Sequence, residues 1–379
     1  MRQRPRATTI ENRGAGALAG RRDPKSRGYL VAMATAALLV LLIFGSFNYA
    51  IDPLQFYRKA TLYPPRFSTE QRFQNPGLAR NYEYDTVVIG TSMTENFYPR
   101  DVEARLGGKT LNLSISGATA HEQAMILDVA LRSRAPESVI WGLDWFAFAT
   151  PHDAVRRDFG PFPRYLYGSG LRAIRGYLLN WDTFQLSLDA IRSRAPTAEL
   201  ESLNTWDTQR RQGCEEVVSS FHDPEVLRNN VAAMKRRVAD ADAMRTTLDE
   251  SLFRLAARHP DTVFYAYFPP YSIAHHVYFR AHFPREYAAL EMMRRLVSER
   301  AGEFPNLRIF DFQTVEDWTH DFSEYVDMSH HSRTVNGYIL DALASGSFRA
   351  DPREGIVDLR SQVARFTAPM STDVCGGPA

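Results

Sequence analysis

A serine at one end of the soluble part of the chain and an Asp-x-x-His pair at the other are the residues best suited to chemistry. Ser92 follows the short apolar run Asp85–Gly90, and Asp327 and His330 lie three positions apart much later in the chain. A serine hydroxyl becomes a nucleophile only beside a base. In a turn, the Asp327 carboxylate can accept the N–H of His330 and hold its other ring nitrogen toward Ser92.

Each of these residues also has an ordinary structural explanation. Ser92 could cap a short helix that ends before Pro99. Histidines are often packing or surface residues, and the adjacent His331 competes with His330 for the role of base. Position favours the chemical interpretation, because the Asp-x-x-His follows the last predicted strand, on the same sheet edge as Ser92.

The elements that must position these residues alternate between strands and helices. Short apolar runs predict strands, and helical spacing of apolar residues predicts helices over about 121–134, 224–259 and 284–303. This alternation predicts an α/β fold, a parallel sheet with helices on both faces, whose binding site lies at the carboxyl ends of the strands. The predicted strands are Asp85–Gly90, Thr110–Ser116, Ser138–Trp145, Asp261–Phe268 and Leu307–Phe312.

An aromatic-rich segment, 151–222, separates the third and fourth strands and exceeds what one crossover needs. Its apolar residues recur at helical spacing. We expect either an insertion that caps the site or binds a partner, or ordinary helical packing on the core.

The N-terminal part carries a step in charge that is typical of a membrane anchor. Residues 1–28 contain eight basic and two acidic residues, which predicts a disordered cytoplasmic tail. Residues 28–51 then contain no charged residue. We expect an uncleaved transmembrane helix over 29–51, although a cleaved signal peptide is the competing interpretation. A linker is predicted over 52–81 and a poorly ordered tail over 351–379.

Composition excludes several classes of protein. The net charge of +1 argues against a nucleic-acid partner, and 44% hydrophobic with 23% charged residues excludes wholesale disorder. His275, His276 and His282 lack partners at metal-ligand spacing, no Gly-rich phosphate loop is present, and no cofactor or metal is predicted. Cys214 and Cys375 could pair in an oxidising compartment, but the position of Cys375 in the tail argues against it.

Ordered blocks of the sequence resemble those of SGNH/GDSL hydrolases. The resemblance covers about 82–343, and with the single anchoring helix it is similar to periplasmic proteins of alginate O-acetylation and teichoic acid D-alanylation. It implies a flavodoxin-like three-layer domain over 82–350. The blocks are Gly90-Thr91-Ser92, Gly117, Gly142-Leu143-Asp144, Phe268-Pro269-Pro270-Tyr271-Ser272 and Asp327-Met328-Ser329-His330.

The resemblance also implies roles. Ser92 is expected to be the nucleophile, His330 the base and Asp327 the residue that orients it, with the backbone N–H groups of Ser92 and Gly117 binding the oxyanion. Two departures stand out: the family's Gly-Asp-Ser is Gly-Thr-Ser here, and its third-block asparagine is Asp144. An ionised carboxylate cannot donate a hydrogen bond, so Asp144 is protonated, does another job or is misaligned. The nearby amides Asn112 and Asn96 are alternative donors.

The implied function is a serine esterase or O-acyltransferase anchored in a bacterial inner membrane, with its main domain in the periplasm. Its substrates would be an envelope glycan or an acylated small molecule, and a membrane acyltransferase is a candidate partner. The alternative is a non-catalytic glycan-binding or scaffold protein of an envelope polysaccharide complex. Asp144 and the aromatic insertion favour the alternative, whereas the ordered serine, aspartate and histidine favour the enzyme.

Overall fold

The computed structural model describes residues 24–379, except for 159, 194–198, 207–210, 236, 238–239, 351–358, 367–374 and 376–379. Most of the predicted basic tail over 1–28 lies outside the described residues. The same holds for most of the predicted C-terminal tail.

The centre of the molecule is a five-stranded, all-parallel sheet with the strand order β2-β1-β3-β4-β5. The predicted α/β class and all five predicted strands are confirmed, each within a few residues of its predicted bounds. Strands that are buried on both faces need no alternation of polar residues, which explains their continuous apolar runs. The strands are β1 (Thr86–Ile89), β2 (Thr110–Asn112), β3 (Ser138–Gly142), β4 (Val263–Phe268) and β5 (Leu307–Asp311).

Helices account for most of the remaining described residues, and several short helices replace the single crossover predicted over 224–259. The helices are α1 (Pro24–Ile51), α2 (Gln71–Asn81), α3 (Pro99–Leu106), α4 (Ala120–Arg134), α5 (Trp145–Phe148), α6 (Arg164–Tyr167), α7 (Gly170–Leu178), α8 (Trp181–Arg192), α9 (Cys214–His222), α10 (Pro224–Met234), α11 (Ala241–Leu248), α12 (Arg254–Arg258), α13 (Ile273–His282), α14 (Pro284–Ala301), α15 (Glu316–Thr319), α16 (Arg333–Ser345) and α17 (Arg360–Ala364).

Both faces of the sheet are covered, so the chain forms three layers. On one face, Val88 and Ile140 pack with apolar residues of α3 and α16. On the other, Val87 and Val139 belong to a larger core with α2, α4 and α14. Because successive side chains of a strand point to opposite faces, neighbouring residues of β1 enter different cores.

The N-terminal helix α1 contains the one segment in the described chain that is long and apolar enough to span a membrane, Arg27–Ile51. A signal sequence would pass the same test of length and composition. Most of this segment is exposed, but its last turns pack against α7 and α8. This part of the predicted insertion therefore lies beside α1.

The linker predicted over 52–81 is wrong for its second half. Residues 71–81 form α2, which packs against α4, and the Asn75 amide donates to the carbonyls of Leu113 (2.9 Å) and Ser114 (3.2 Å). The buried residues of α2 are largely polar, so its sequence has no apolar periodicity. Its polar side chains can be buried because other segments supply hydrogen-bond acceptors, which include the Glu95 carboxylate for Gln71 as well as backbone carbonyls.

The sequence left open whether Cys214 and Cys375 pair; in the structure they form a disulfide with Cα atoms 5.5 Å apart. In the tail predicted to be poorly ordered, Leu359, which precedes α17, and Val363 within it are buried completely or nearly so. These buried side chains and the disulfide attach parts of the tail to the domain. Neither feature produces a periodic pattern of apolar residues, so the sequence did not predict it.

Reduction of the disulfide is expected to lower the free energy of unfolding by up to about 5 kcal/mol, because it closes a loop with a sequence separation of 161 residues. Denaturant unfolding of the purified chain with and without a reductant measures the difference. In Cys214→Ser the reductant should have no further effect. Equal stability of the oxidised and reduced wild type would contradict the link.

Candidate active site

Ser92 lies directly after the carboxyl end of β1. The hydroxyl of Thr91 accepts the backbone N–H of Met93 at 3.3 Å, so Thr91 caps the single 3-10 turn Ser92–Thr94. Gly90 permits the tight exit from the strand, since a Cβ there would lie 2.7 Å from the Thr94 hydroxyl. Thr91 thus takes the capping role considered for Ser92, and the Ser92 hydroxyl is left for another contact.

The Asp327–His330 turn follows β5 and α15 and faces the same sheet edge. Asp327 Oδ1 accepts the backbone N–H groups of Ser329 and His330, both at 2.8 Å. The Phe268–Ser272 block after β4 holds the turn in place, because the Ser272 hydroxyl donates to the Met328 carbonyl at 2.6 Å. The Tyr325 hydroxyl also donates to the Pro270 carbonyl at 2.8 Å.

The fold brings the three predicted residues together into one hydrogen-bonded chain. Ser92 Oγ lies 2.9 Å from His330 Nε2, and His330 Nδ1 lies 2.8 Å from Asp327 Oδ2. An ionised carboxylate only accepts hydrogen bonds, so His330 Nδ1 carries the proton that it donates to Asp327. In the neutral ring Nε2 is then an acceptor for the Ser92 hydroxyl, which is the arrangement that a general base requires.

The Asp327 carboxylate remains ionised well below neutral pH. Burial alone would raise its pKa, but the His330 ring and the backbone N–H groups of Ser329 and His330 more than offset this and lower the pKa below its ordinary value. Opposite charge and hydrogen bonding to the charged form are the causes.

His331, the alternative base, is directed away from the site. Its side chain is buried, and Nε2 lies 2.9 Å from the Asn336 side-chain oxygen in α16. Burial lowers its pKa to about 4, so the ring is neutral at physiological pH. The two adjacent histidines therefore face different surroundings, and His330 alone reaches Ser92.

Gly117 lines the same cavity as Ser92 and the Asp327–His330 turn. Its φ of +58° lies in the left-handed region, and a Cβ would clash with the Arg156 guanidinium. Among the described residues, no protein acceptor takes the backbone N–H of Gly117 or Ser92. Both groups are thus available to a ligand, as the predicted oxyanion role requires.

A buried ion pair holds the Gly117 loop in place. Glu122 of α4 is completely buried, and its Oε2 lies 2.9 Å from the Arg72 guanidinium. Arg72 also donates to the Ser116 carbonyl at 3.2 Å, and Glu122 accepts the Arg156 backbone N–H at 2.7 Å. The Glu122–Arg72 pair therefore connects α2 to the two segments beside Gly117, one at Ser116 and the other at Arg156.

Glu122→Ala is expected to lower the free energy of unfolding by about 3–5 kcal/mol, because it leaves the Arg72 charge buried without its carboxylate. Glu299→Ala, on the exposed surface of α14, is the matched control and should change stability by less than about 0.5 kcal/mol. Denaturant unfolding checks both values. A loss for Glu122→Ala no larger than that of the control would contradict the bracing role.

Asp144 does another job, the second of the three explanations considered. It caps α5 through the Phe146 backbone N–H, and its carboxylate accepts the hydroxyls of Tyr271 (2.5 Å) and Thr91 (2.9 Å). Asp144 lines the cavity, but its oxygens hold the segments after β1 and β4 together. The Gly-Thr-Ser departure is explained by the same contact, because the Thr91 hydroxyl is the donor.

The two amides considered as alternatives to Asp144 have structural partners. Asn112 Nδ2 donates to the carbonyls of Thr94 (2.9 Å) and Phe97 (3.0 Å), and it does not line the cavity. The Asn96 side-chain oxygen accepts the Trp206 backbone N–H at 3.0 Å. Neither amide oxygen nor nitrogen is placed at the cavity beside Gly117.

The site opens into a cavity of about 310 Å³, one wall of which comes from the segment between β3 and β4. Val226, Asn230 and Ala233 of α10 contribute to this wall with Arg237, while Phe146 and Phe279 supply apolar surface. The surface of the cavity is mainly apolar, and Ser92 and His330 are among its polar lining residues. A small acyl group bound as an ester fits a site of this size and polarity.

Trp206 is a site residue to which the sequence analysis gave no role. Its ring meets the His330 imidazole edge-to-face with centroids 5.1 Å apart, and its indole N–H donates to the Ser92 carbonyl at 3.1 Å. Trp206 therefore contacts both members of the Ser92–His330 pair. No spacing signal distinguishes Trp206 from the other aromatic residues of 151–222.

His275 is a second residue with a role that the sequence did not show. Its ring stacks on Tyr271 with centroids 4.2 Å apart, and its Nδ1 lies 2.8 Å from the Ser329 hydroxyl in the Asp327–His330 turn. Burial lowers its pKa well below its ordinary value, so the ring is neutral. His275 thus packs under the turn. Its place after the Phe268–Ser272 block was the only signal in the sequence.

Comparison with solved structures finds distant likenesses to this chain. No protein-family model and no curated protein matches the chain. A solved structure described as a "putative platelet activating factor" from Streptococcus pneumonia is similar over 73% of this chain and 90% of that chain, with a TM-score of 0.38 and 12% identity. A likeness at this level assigns no activity, so the function must be argued from the site.

Proposed function

We propose that this protein is a membrane-anchored serine esterase or O-acyltransferase of the SGNH/GDSL type that works through an acyl-serine intermediate. The observation that carries the proposal is the hydrogen-bonded chain from Ser92 through His330 to Asp327, in a cavity that also contains Gly117. The strand order 2-1-3-4-5 is that of flavodoxin-like sheets, and the site lies at the carboxyl edge beside the switch between β1 and β3. Both features support the same assignment.

The geometry supports acyl transfer in two steps. In the first, Ser92 Oγ attacks the ester carbonyl while His330 Nε2 takes the hydroxyl proton, and the backbone N–H groups of Ser92 and Gly117 stabilise the oxyanion. Collapse of the tetrahedral intermediate breaks the bond to the alcohol, which leaves with the proton from His330. In the second, water or a sugar hydroxyl gives its proton to His330 and attacks the acyl-serine. The bond between the acyl carbon and Ser92 Oγ then breaks, His330 returns the proton to Ser92, and the acid or the new sugar ester leaves.

The contacts of α1 with the folded domain support a retained anchor. The Asn48 amide donates to the Leu178 carbonyl at 2.9 Å, and its oxygen accepts the Ser187 hydroxyl at 3.1 Å. Asp52, directly after α1, accepts the Tyr177 hydroxyl at 2.9 Å. Cleavage of a signal peptide near this point would remove these partners. The disulfide fits an oxidising compartment, and the basic N-terminus favours a periplasmic domain behind an inner-membrane helix.

An envelope glycan is proposed as the acyl acceptor, with a membrane acyltransferase as a candidate donor of the acyl group. The proposal rests on the resemblance to periplasmic acylation proteins and on the open, mainly apolar cavity beside Ser92. A binding or scaffold protein on the same fold is the alternative, and the outcome of serine labelling decides between them.

Labelling of the purified full chain with a fluorophosphonate tests the proposal. We expect one covalent adduct in the wild type and none in Ser92→Ala. Ser220→Ala is the matched control, because Ser220 lines the same cavity but its hydroxyl donates to the Glu216 carbonyl at 2.9 Å. Labelling that persists in Ser92→Ala, or no labelling of the wild type at all, would favour the non-catalytic alternative.

A further inference from the structure

A groove of about 950 Å³ lies between the last turns of α1 and the helix α7, away from the candidate active site. Its walls are mainly apolar, with Leu41 and Gly45 on α1 and Leu171, Ile174 and Leu178 on α7. Leu171 is 84% exposed, and Trp181 at the start of α8 is 61% exposed. Large apolar side chains gathered at this exposure mark a surface that another molecule covers.

The groove has fixed walls. The rings of Phe44 on α1 and Phe184 on α8 stack with centroids 4.9 Å apart, and Trp181 stacks on Phe44 at 6.2 Å. The Asn48 hydrogen bond to Leu178 joins the same helices, and Gly45 allows close approach, since a Cβ there would lie 3.4 Å from Leu179. Helices α7 and α8 are therefore held along α1.

Two arginines of α7, Arg172 and Arg175, supply positive charge to the groove. Both side chains are exposed, and among the described residues neither has an acidic partner. Tyr49 also lines the groove, and the Arg58 guanidinium lies over its ring at 4.7 Å. Apolar walls combined with an aromatic residue and two cations match the chemistry of the boundary between lipid chains and headgroups.

The length of α1 places this groove at that boundary. A hydrocarbon core of roughly 30 Å takes about 20 helical residues, so a span that begins near Tyr29 leaves the core near Tyr49. The groove residues Leu41, Gly45 and Tyr49 then extend from within the far leaflet to its surface. The apolar walls continue the lipid-facing surface of α1, on which Leu41 is 47% and Leu42 55% exposed.

We propose that the groove between α1 and α7 binds an anionic phospholipid of the surrounding leaflet. Its acyl chains lie between Leu41, Gly45 and Ile174, and its phosphate is bound by Arg172 and Arg175. The inference rests on the proposed retention of α1 as a membrane anchor, and it does not depend on chemistry at Ser92. The bound lipid would hold α7 and α8, and with them the domain, against the membrane surface.

Lipid is favoured over the apolar helix of a partner protein because of the charges. The two arginines have no acidic partner in the described part of the chain, so they match a phosphate, whereas an apolar partner helix would leave them without a counter-charge. If the groove bound a partner helix instead, the protein would show no preference between lipids of different headgroup.

Native mass spectrometry of the full chain in detergent, with equimolar phosphatidylglycerol and phosphatidylcholine, tests the proposal. The intact mass first shows whether α1 is present, so a failure of the anchor is recognised separately from a failure of lipid binding. We expect the wild type to retain phosphatidylglycerol preferentially by about fivefold for each arginine, the factor for one basic side chain at an anionic surface. Arg172→Gln/Arg175→Gln should reduce the preference to about one.

Arg228→Gln/Arg295→Gln, which changes exposed arginines of α10 and α14, is the matched control and should keep the preference. A second measurement uses the wild type in vesicles of brominated phosphatidylglycerol. Its tryptophan fluorescence should be quenched, and the quenching should be lost in Trp181→Phe. Equal retention of the two lipids by an intact wild type, or quenching that is unchanged in Trp181→Phe, would overturn the proposal.

Discussion

His330→Ala is expected to slow hydrolysis of p-nitrophenyl acetate by about 10⁴- to 10⁶-fold. The reason is the 2.9 Å contact between Ser92 Oγ and His330 Nε2, through which the hydroxyl proton leaves as the serine attacks. Because the two residues act as a unit, Ser92→Ala/His330→Ala should be no slower than the more damaging single variant. Steady-state rates of the four proteins measure both effects.

His331→Gln provides the matched control in the adjacent position. His331 is buried against Asn336 and does not line the cavity, so this variant should keep its rate within a few-fold of the wild type. We expect some loss of stability from it instead, because a buried hydrogen bond contributes about 1 kcal/mol. If His331→Gln proved as slow as His330→Ala, the assignment of the base would be wrong.

Asp327→Asn is expected to lower the hydrolysis rate by about 10⁴-fold while the fold is kept. The amide has nearly the shape of the carboxylate but can offer an N–H to His330 Nδ1. That contact favours the tautomer in which Nε2 carries the proton and cannot accept one from Ser92. Asp317→Asn, on the exposed surface of α15, should leave the rate unchanged. A loss of less than about tenfold for Asp327→Asn would contradict the orienting role.

The same variant has a stability effect whose pH dependence has a definite sign. The pKa of Asp327 is lower in the folded protein than its ordinary value of 3.8, so its ionised form stabilises the fold. This contribution is present above pH 3.8 and is lost as the pH falls toward the folded pKa. The difference in unfolding free energy between the wild type and Asp327→Asn should therefore shrink below about pH 3.8. A difference that stayed constant or grew there would contradict the shift.

Much of the layer structure could be predicted because it depends on local patterns. The strand Thr86–Ile89 is a continuous apolar run before a glycine, and α4 is an apolar periodicity that ends before Pro136. Helix α2 could not be predicted in this way. Its buried face is polar, and it is stabilised by distant partners such as the Leu113 carbonyl and Glu122.

In the candidate site, too, some features follow from the local sequence and others from contacts between distant residues. Residue type and order selected Ser92, Asp327 and His330, since a parallel sheet places the carboxyl ends of its strands at one edge. Spacing could not decide between His330 and the adjacent His331. The backbone of the turn decided it, by directing one ring to Ser92 and the other to Asn336. The role of Asp144 also depends on the tertiary structure, because its donors come from Thr91 and Tyr271, each far away in sequence.

By itself the sequence determined an α/β chain with an apolar N-terminal helix, and it identified which serine, aspartate and histidine to examine. These properties follow from periodicity and residue chemistry, which are local. The tertiary structure alone decided the 2.9 Å contact of Ser92 with His330 and the packing of the Trp206 ring against His330. It also decided the disulfide between Cys214 and Cys375 and the groove beside α1. Each of these joins residues that are distant in the chain, and only the packing of the layers fixes such distances.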